Sequence, residues 1–433
     1  MQYTLMTSFT STHRIVMITM VIFLTLSACA PQTRIVEVEV TAPPQVNVVE
    51  ITATPEPAAV VPEPTPAPET AIGPLSLADS GQSLGNGRSW DVSLGDLDGD
   101  GDLDALVANG AQGEDESTVW FNDGHGVFTV GEQGLGYGMG VSLGDLDRDG
   151  DLDAFIASWN EPGKVWLNNG GGTFSDTGQS IGDAGGWDAA FGDLDGDGDL
   201  DALLAMDRAN TVWLNDGDGI FTDTGQRLGD AYTVSAGLDD VDGDGDLDAL
   251  TVGWNEPGKV WLNDATGTFT DSGQTLTPGR IHIHGMTMGD LDGDDDLDAF
   301  MAGAPSQIWF NDGGVQGGTP GTFSESEQQL DSQPGDTVAL GDLDGDGDLD
   351  IYLAVGASFS AEDKVWLNDG GLQGGTPGTF TDSGLLLSDL FSSGIGLGDL
   401  DGDGDLDAFV SYGELGRSNN GELPNEVWLN ETR

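Results

Sequence analysis

The window GDLDGDGDLDA at residues 95–105 returns along the chain with its first aspartate at Asp96, Asp145, Asp193, Asp240, Asp290, Asp342 and Asp399, at spacings of 49, 48, 47, 50, 52 and 57 residues. A second string follows each window: VWFNDGHGVF, VWLNNGGGTF, VWLNDGDGIF, VWLNDATGTF, IWFNDGGVQGGTPGTF, VWLNDGGLQGGTPGTF and, at the end of the chain, VWLNETR. Seven copies of a unit near 48 residues restrict the chain to a repeat architecture, because each unit is one supersecondary module that buries its apolar face against its neighbours.

Each unit reads as four strands, for example WDVSLGD, LDALVA, TVWFN and, after an Asn-Asp-Gly turn, GVFTV. Trp120, Trp166, Trp213, Trp261, Trp309, Trp366 and Trp428 hold the same place in the seven third strands and are expected in the core between blades. The seventh unit stops without a fourth strand, whereas LADSGQSLG at 77–85 matches the fourth-strand text FTDTGQRLG at 221–229. A strand from residues 75–85 that completes the last blade removes the exposed edge of an open array. The expected fold is therefore all-β, a closed seven-bladed β-propeller over residues 75–433.

The repeated aspartates need a counter-charge. The chain carries 76 acidic against 12 basic side chains, a formal charge of −64, which argues against nucleic acid and favours cations. Oxygen ligands at positions 1, 3 and 5 of a tight loop, with glycine at 6 and a later acid, suit Ca²⁺. The loop is not an EF-hand, since position 12 is Val107, Ile156, Leu204, Thr251, Met301, Leu353 or Val410 rather than Glu. Position 9 is aspartate every time, and the apolar residue at 12 lies in the following strand, which makes each loop the hairpin between first and second strands.

With D-x-D-x-D-G-x-x-D in seven copies, the units resemble the FG-GAP/VCBS repeats of integrin α-subunit propellers and of many bacterial surface proteins. The resemblance implies up to seven Ca²⁺ ions, each held by the side chains at positions 1, 3, 5 and 9 and the backbone carbonyl at position 7. The first loop supplies Asp96, Asp98, Asp100 and Asp104 with the carbonyl of Asp102; the second Asp145, Asp147, Asp149 and Asp153 with Asp151; the third Asp193, Asp195, Asp197 and Asp201 with Asp199. The fourth supplies Asp240, Asp242, Asp244 and Asp248 with Asp246; the fifth Asp290, Asp292, Asp294 and Asp298 with Asp296. The sixth supplies Asp342, Asp344, Asp346 and Asp350 with Asp348, and the seventh Asp399, Asp401, Asp403 and Asp407 with Asp405. Two loops depart from the pattern. Arg148 replaces glycine at position 4 of the second, which implies tolerance of a long side chain there. Asp295 replaces glycine at position 6 of the fifth, where positive φ is expected and the site is weakest.

Upstream, Ile15–Ala28 is a 14-residue largely apolar run after His13 and Arg14, ending in Leu-Ser-Ala and the sole cysteine, Cys29. That ending resembles the bacterial lipobox and implies a signal peptide over 1–28 and lipid on Cys29. Residues 29–74 include 10 of the 18 prolines and read as an extended stalk. An extracytoplasmic, lipid-anchored protein, monomeric and free of nucleic acid, is expected.

In propellers of this kind the loops opposite the metal hairpins line the ligand face. Here they carry Trp90, Asp91, Trp159, Asn160, Glu161, Trp187, Asp188, Arg208, Trp254, Asn255, Glu256, His282 and His284. Tryptophan beside amides and acids suits a sugar, by stacking on C–H groups and gripping hydroxyls. The expected function is a Ca²⁺-stabilised binding or adhesion module for glycan or surface-protein ligands. The alternatives are a carbohydrate-active lyase or hydrolase on the same ring, or a passive scaffold. Catalysis is not expected, because of the four histidines only His282 and His284 are in a position to face a cleft, no partner for them can be named, and no acid pair stands out among so many acids.

Overall fold

The computed structural model describes residues 74–85, 88–110, 116–254, 256–276, 282–313, 318–330, 335–355, 362–371, 374–388, 390–413 and 423–432, and the backbone of four short strands between Met20 and Val46. The chain divides into units Met1–Thr70 and Ala71–Arg433. In the first, Met20–Ile22 pairs antiparallel with Arg34–Val36, and Val40–Thr41 with Gln45–Val46. The expected signal cleavage, the lipid on Cys29, the ligand role of Asn255 and, apart from Arg34–Val36, Val40–Thr41, Gln45–Val46 and residue 74, the stalk expected over 29–74 lie outside the described residues.

The second unit is a ring of seven four-stranded antiparallel sheets, with no α-helix among the described residues. Blade one runs Ser89–Gly95, Asp104–Asn109, Thr118–Asn122 and Phe128–Gly134 in spatial as in chain order. Blade seven is built from Ser392–Gly398, Asp407–Tyr412 and Glu426–Asn430, and its fourth strand is Leu77–Asp79, with Trp428 opposite Asp79 and Asn430 opposite Leu77. Ser393 Oγ donates to Ser89 O at 2.8 Å, so the first strands of blades seven and one also meet.

Burial follows the period expected of stacked blades. Second strands are buried on both faces, as in Asp104–Asn109 and Asp201–Met206, because each lies between two neighbouring blades. Seven apolar clusters each straddle one blade junction; Leu106, Val119 and Leu135 of blade one pack on Val141, Ile156 and Phe174 of blade two. All seven third-strand tryptophans are buried or half-buried against such a cluster. First strands crowd the axis, and at Gly140 a Cβ would come within 2.1 Å of Trp187 O.

Two ladders of side chains stitch the blades. The asparagine that ends each third strand donates its Nδ2 to the carbonyl at loop position 2 of the preceding blade, from Asn168 to Leu97 at 2.8 Å round to Asn122 to Leu400 at 2.8 Å. A glutamine on the outer segment of each of six blades clamps the next, as Gln179 does through Gly219 O at 2.6 Å and Phe221 N at 2.9 Å. At the junction of blades six and seven the corresponding residues are Leu385 and Leu77, which pack in one apolar cluster instead.

Candidate functional site

Each aspartate loop is organised by its own acids. In loop one Asp96 Oδ1 accepts from Gly99 N at 2.8 Å and Oδ2 from Gly101 N at 3.1 Å, while Asp98 and Asp100 each accept from the amide two residues on. Asp104 is wholly buried and ties the loop to two strands, with Oδ2 accepting from Leu97 N at 3.0 Å and Oδ1 from Asn122 N at 2.8 Å. The same bond from the third-strand asparagine recurs at position 9 of every loop. Burial pushes Asp104, Asp153, Asp201 and Asp407 up to about 6 and Asp248, Asp298 and Asp350 up to about 7, against the pull of those N–H bonds.

The loops converge as a divalent site requires. One carboxylate oxygen from each of Asp96, Asp98 and Asp104 lies within 4.8 Å of the others, as do those of Asp145, Asp147 and Asp153 and of Asp240, Asp242 and Asp248. In loops three and five the converging triads are Asp193, Asp195, Asp197 and Asp290, Asp292, Asp294. Asp145 Oδ1, Asp248 Oδ2, Asp294 Oδ2 and Asp346 Oδ2 are buried and accept no hydrogen bond among the described residues. An all-oxygen donor set with buried oxygens left over fits a hard cation.

The two irregular loops keep the backbone of the others. Asp295 takes φ 70° and donates its N–H to Asp290 Oδ2 at 3.1 Å, as Gly101 does in loop one. Position 4 also requires positive φ, 80° at Gly99 and 62° at Arg148, so the tolerance expected there is for side-chain length and not for conformation. Arg148 reaches Asp199, position 7 of the next loop, at 2.5 Å.

On the opposite face the first strands open around a cavity of about 800 Å³. A β-bulge re-aims one residue per first strand in blades one, three, four, five and seven, namely Trp90, Trp187, Val234, His284 and Ser393. Met139 and Asp336 stand just ahead of the first strands of blades two and six, and all seven residues line the cavity. Of the residues expected on the ligand face, Trp90, Asp91, Trp187, Asp188, Trp254, His282 and His284 line it. Asn160, Glu161, Arg208 and Glu256 are exposed and outside it.

Trp159 stands at the rim, 43% exposed, with its ring centroid 4.7 Å from that of Trp187. The aromatic arc continues through Tyr232, 5.4 Å from Trp187, to Trp254, 43% exposed and 5.5 Å from His282.

Asp91 and Asp188 also tie the ring together. Asp91 accepts from Val92 N at 2.8 Å and Val141 N at 3.0 Å; Asp188 accepts from Ala189 N at 2.8 Å, Ser235 Oγ at 3.2 Å and Ala236 N at 3.3 Å. Their oxygens fasten the first strand of blade one to that of blade two and the first strand of blade three to that of blade four. Burial, helped by the charge of Asp188, pushes Asp91 up to about 7. His284 Nδ1 lies 3.1 Å from Asp336 Oδ1, with burial lowering the histidine and raising the aspartate to about 7. Tyr232, Asp336, Met139 and Phe391 were not singled out from the sequence, since no repeated text marks them.

The family model described as FG-GAP-like repeat matches residues 96–156, 145–204, 193–239, 240–301 and 342–410, together more than half of the chain. No curated protein matches the chain by sequence. Among solved structures, BBS1N in complex with ARL6DN is similar at TM-score 0.50 and 7% identity, covering 82% of this chain and 96% of that one. An Agrocybe aegerita lectin that recognises non-reducing terminal N-acetylglucosamine is similar at TM-score 0.45 and 19% identity over 80% of this chain and 86% of its own. The extracellular domain of a one-component system from B. thetaiotaomicron is similar at TM-score 0.46 and 12% identity over 82% of this chain and 39% of its own.

Proposed function

This chain belongs to the FG-GAP-like repeat family, and from that premise we propose that it is a Ca²⁺-stapled binding module, held outside the cytoplasm by lipid on Cys29, that engages a glycan or surface protein on the face opposite its aspartate loops. The observation that carries the binding reading is the aromatic arc from Trp159 through Trp187, Tyr232 and Trp254 to His282, placed beside a cavity at the ring axis. Exposed ring faces offer stacking surface, and only aromatics that are not consumed by the core can offer it.

Calcium would be held by the acids at positions 1, 3, 5 and 9. It would supply the positive charge that offsets three of these carboxylates lying within 4.8 Å of one another, positions 1, 3 and 9 in loops one, two and four and positions 1, 3 and 5 in loops three and five. The chain's own part is to pre-arrange the loop with amide bonds and to fix position 9 to the third strand. Because Leu77 pairs with Asn430, whose N–H donates to Asp407, the chain enters the ring on the loop face. We read the protein as a binder without turnover, since two of the three cavity acids, Asp91 and Asp188, have their oxygens engaged by strand ties and the third, Asp336, lies against His284.

The test is a glycan and surface-protein array probed with the intact chain in millimolar Ca²⁺ and again with chelator. Saturable binding that falls at least tenfold in Trp254→Ala supports the proposal, and turnover of a bound glycan or an array without hits contradicts it. Chelation should lower the melting temperature, because each ion contributes about 2.7 kcal/mol at a hundredfold excess over its Kd. Melting indifferent to chelator removes calcium from the account.

A further inference from the structure

The cavity at the ring axis has walls of uneven chemistry. Trp90, Trp187, Trp254 and Phe391 contribute aromatic surface and Met139 and Met286 thioethers; Asp91, Asp188 and Asp336 contribute the carboxylates, and neither lysine nor arginine is among the lining residues. The carboxylates are spread around the axis, on the first strands of blades one and three and just before that of blade six. Each oxygen of Asp91 and Asp188 accepts an N–H or O–H from the protein, and because burial holds Asp91 and Asp336 up to about 7, the negative field of the walls is fullest above that pH.

Such a cavity offers a negative field and ring faces, with no lysine or arginine to hold an anion. An anion is repelled by these walls and by the formal charge of −64. A cation that carries no N–H donor is held by field and ring faces alone. Its alkyl groups rest on tryptophan faces, and its charge is attracted both to the ring quadrupoles and to the surrounding carboxylates.

We propose that the axial cavity binds an alkylated ammonium group, of the trimethylammonium type, through Trp90, Trp187 and Trp254 and the field of Asp91, Asp188 and Asp336. The inference rests on the reading of this face as the binding face and names the chemical class that the cavity selects. A ligand that meets the rim arc with its body would place this group at the axis.

The intact, Ca²⁺-loaded chain is titrated with choline chloride and with tetramethylammonium chloride, followed by tryptophan fluorescence and calorimetry. The comparison is 3,3-dimethylbutan-1-ol, a neutral compound of nearly the same shape as choline. Choline is expected to bind at least about tenfold more tightly than the neutral isostere, and Trp187→Leu and Trp254→Leu each to weaken it roughly three- to tenfold. Equal affinity for choline and the isostere, or no binding of either cation at about 10 mM of added ligand, overturns the inference. The wild-type comparison decides the matter even if a tryptophan variant fails to fold. Array binding without choline binding sinks this inference alone, whereas absence of both also sinks the binding reading.

Discussion

At the residue scale, buried acids divide into those a cation can neutralise and those the fold must keep neutral. Asp363 is of the second kind: fully buried at the junction of blades six and seven, it accepts from Val355 N at 2.8 Å and from Ser392 Oγ at 2.6 Å. Burial raises its carboxyl from 3.8 to about 7. A folded value above the unfolded one means that its contribution to stability is full below pH 4 and is lost as pH rises through 7. Asp363→Asn cannot ionise, so relative to wild type it should gain on the order of 2–4 kcal/mol between pH 4 and pH 8. Urea unfolding of both proteins at the two pH values checks this, and a difference independent of pH contradicts it. Asp295 and Arg148 carry a different cost, positive φ without glycine, and both sit where the loop backbone must turn around a converging set of oxygens.

At the scale of the element, the unit of cohesion is the junction between blades rather than the blade. A single four-stranded sheet leaves both faces apolar, and each face is covered by the next blade. The third-strand asparagines make these junctions specific. Asn368, 1% exposed, donates to Leu291 O of blade five at 2.9 Å and to Leu349 O of its own blade at 3.3 Å, and accepts from Gly378 N at 3.0 Å. Asn368→Ala leaves buried carbonyls and an amide unmet and should cost about 2–4 kcal/mol in urea unfolding. Gln328→Ala, at a half-buried clamp, should cost about 1 kcal/mol. The ranking fails if the two costs are equal.

At the scale of the whole molecule, closure depends on a strand from the far end of the chain. Leu75, Leu77 and Leu84 are buried, and Gln82 joins blade seven to blade one through Gly126 O at 2.6 Å and Phe128 N at 2.9 Å. Deleting residues 75–85 exposes the edge of Glu426–Asn430 and uncovers apolar side chains worth roughly 1.5–3 kcal/mol each. The truncated ring should lose several kcal/mol of stability and self-associate through the open edge, which size-exclusion chromatography and thermal melting measure. A truncated monomer melting like wild type would mean that closure contributes little.

The sequence by itself determined the number of blades, the four-strand unit, the place of the aspartate loops and the strand that closes the ring, because each of these is written seven times or matched at the two ends. A repeated requirement leaves a repeated letter: aspartate where a loop must gather oxygens, tryptophan where neighbouring blades meet. The axial cavity left no such trace. Its ring positions hold Trp90, Met139, Trp187, Val234, His284, Asp336 and Ser393, a different side chain in nearly every blade, aligned only by bulges or strand starts that the tertiary structure creates. The asparagine ladder was half visible, since the letter recurs but its acceptor is a backbone carbonyl one blade away, and carbonyls carry no sequence signature. That Asp91 and Asp188 tie neighbouring strands was likewise decided by packing: first strands crowded at an axis bring a neighbour's amide within reach of each carboxylate, and no pattern along one strand can report how close the next strand comes.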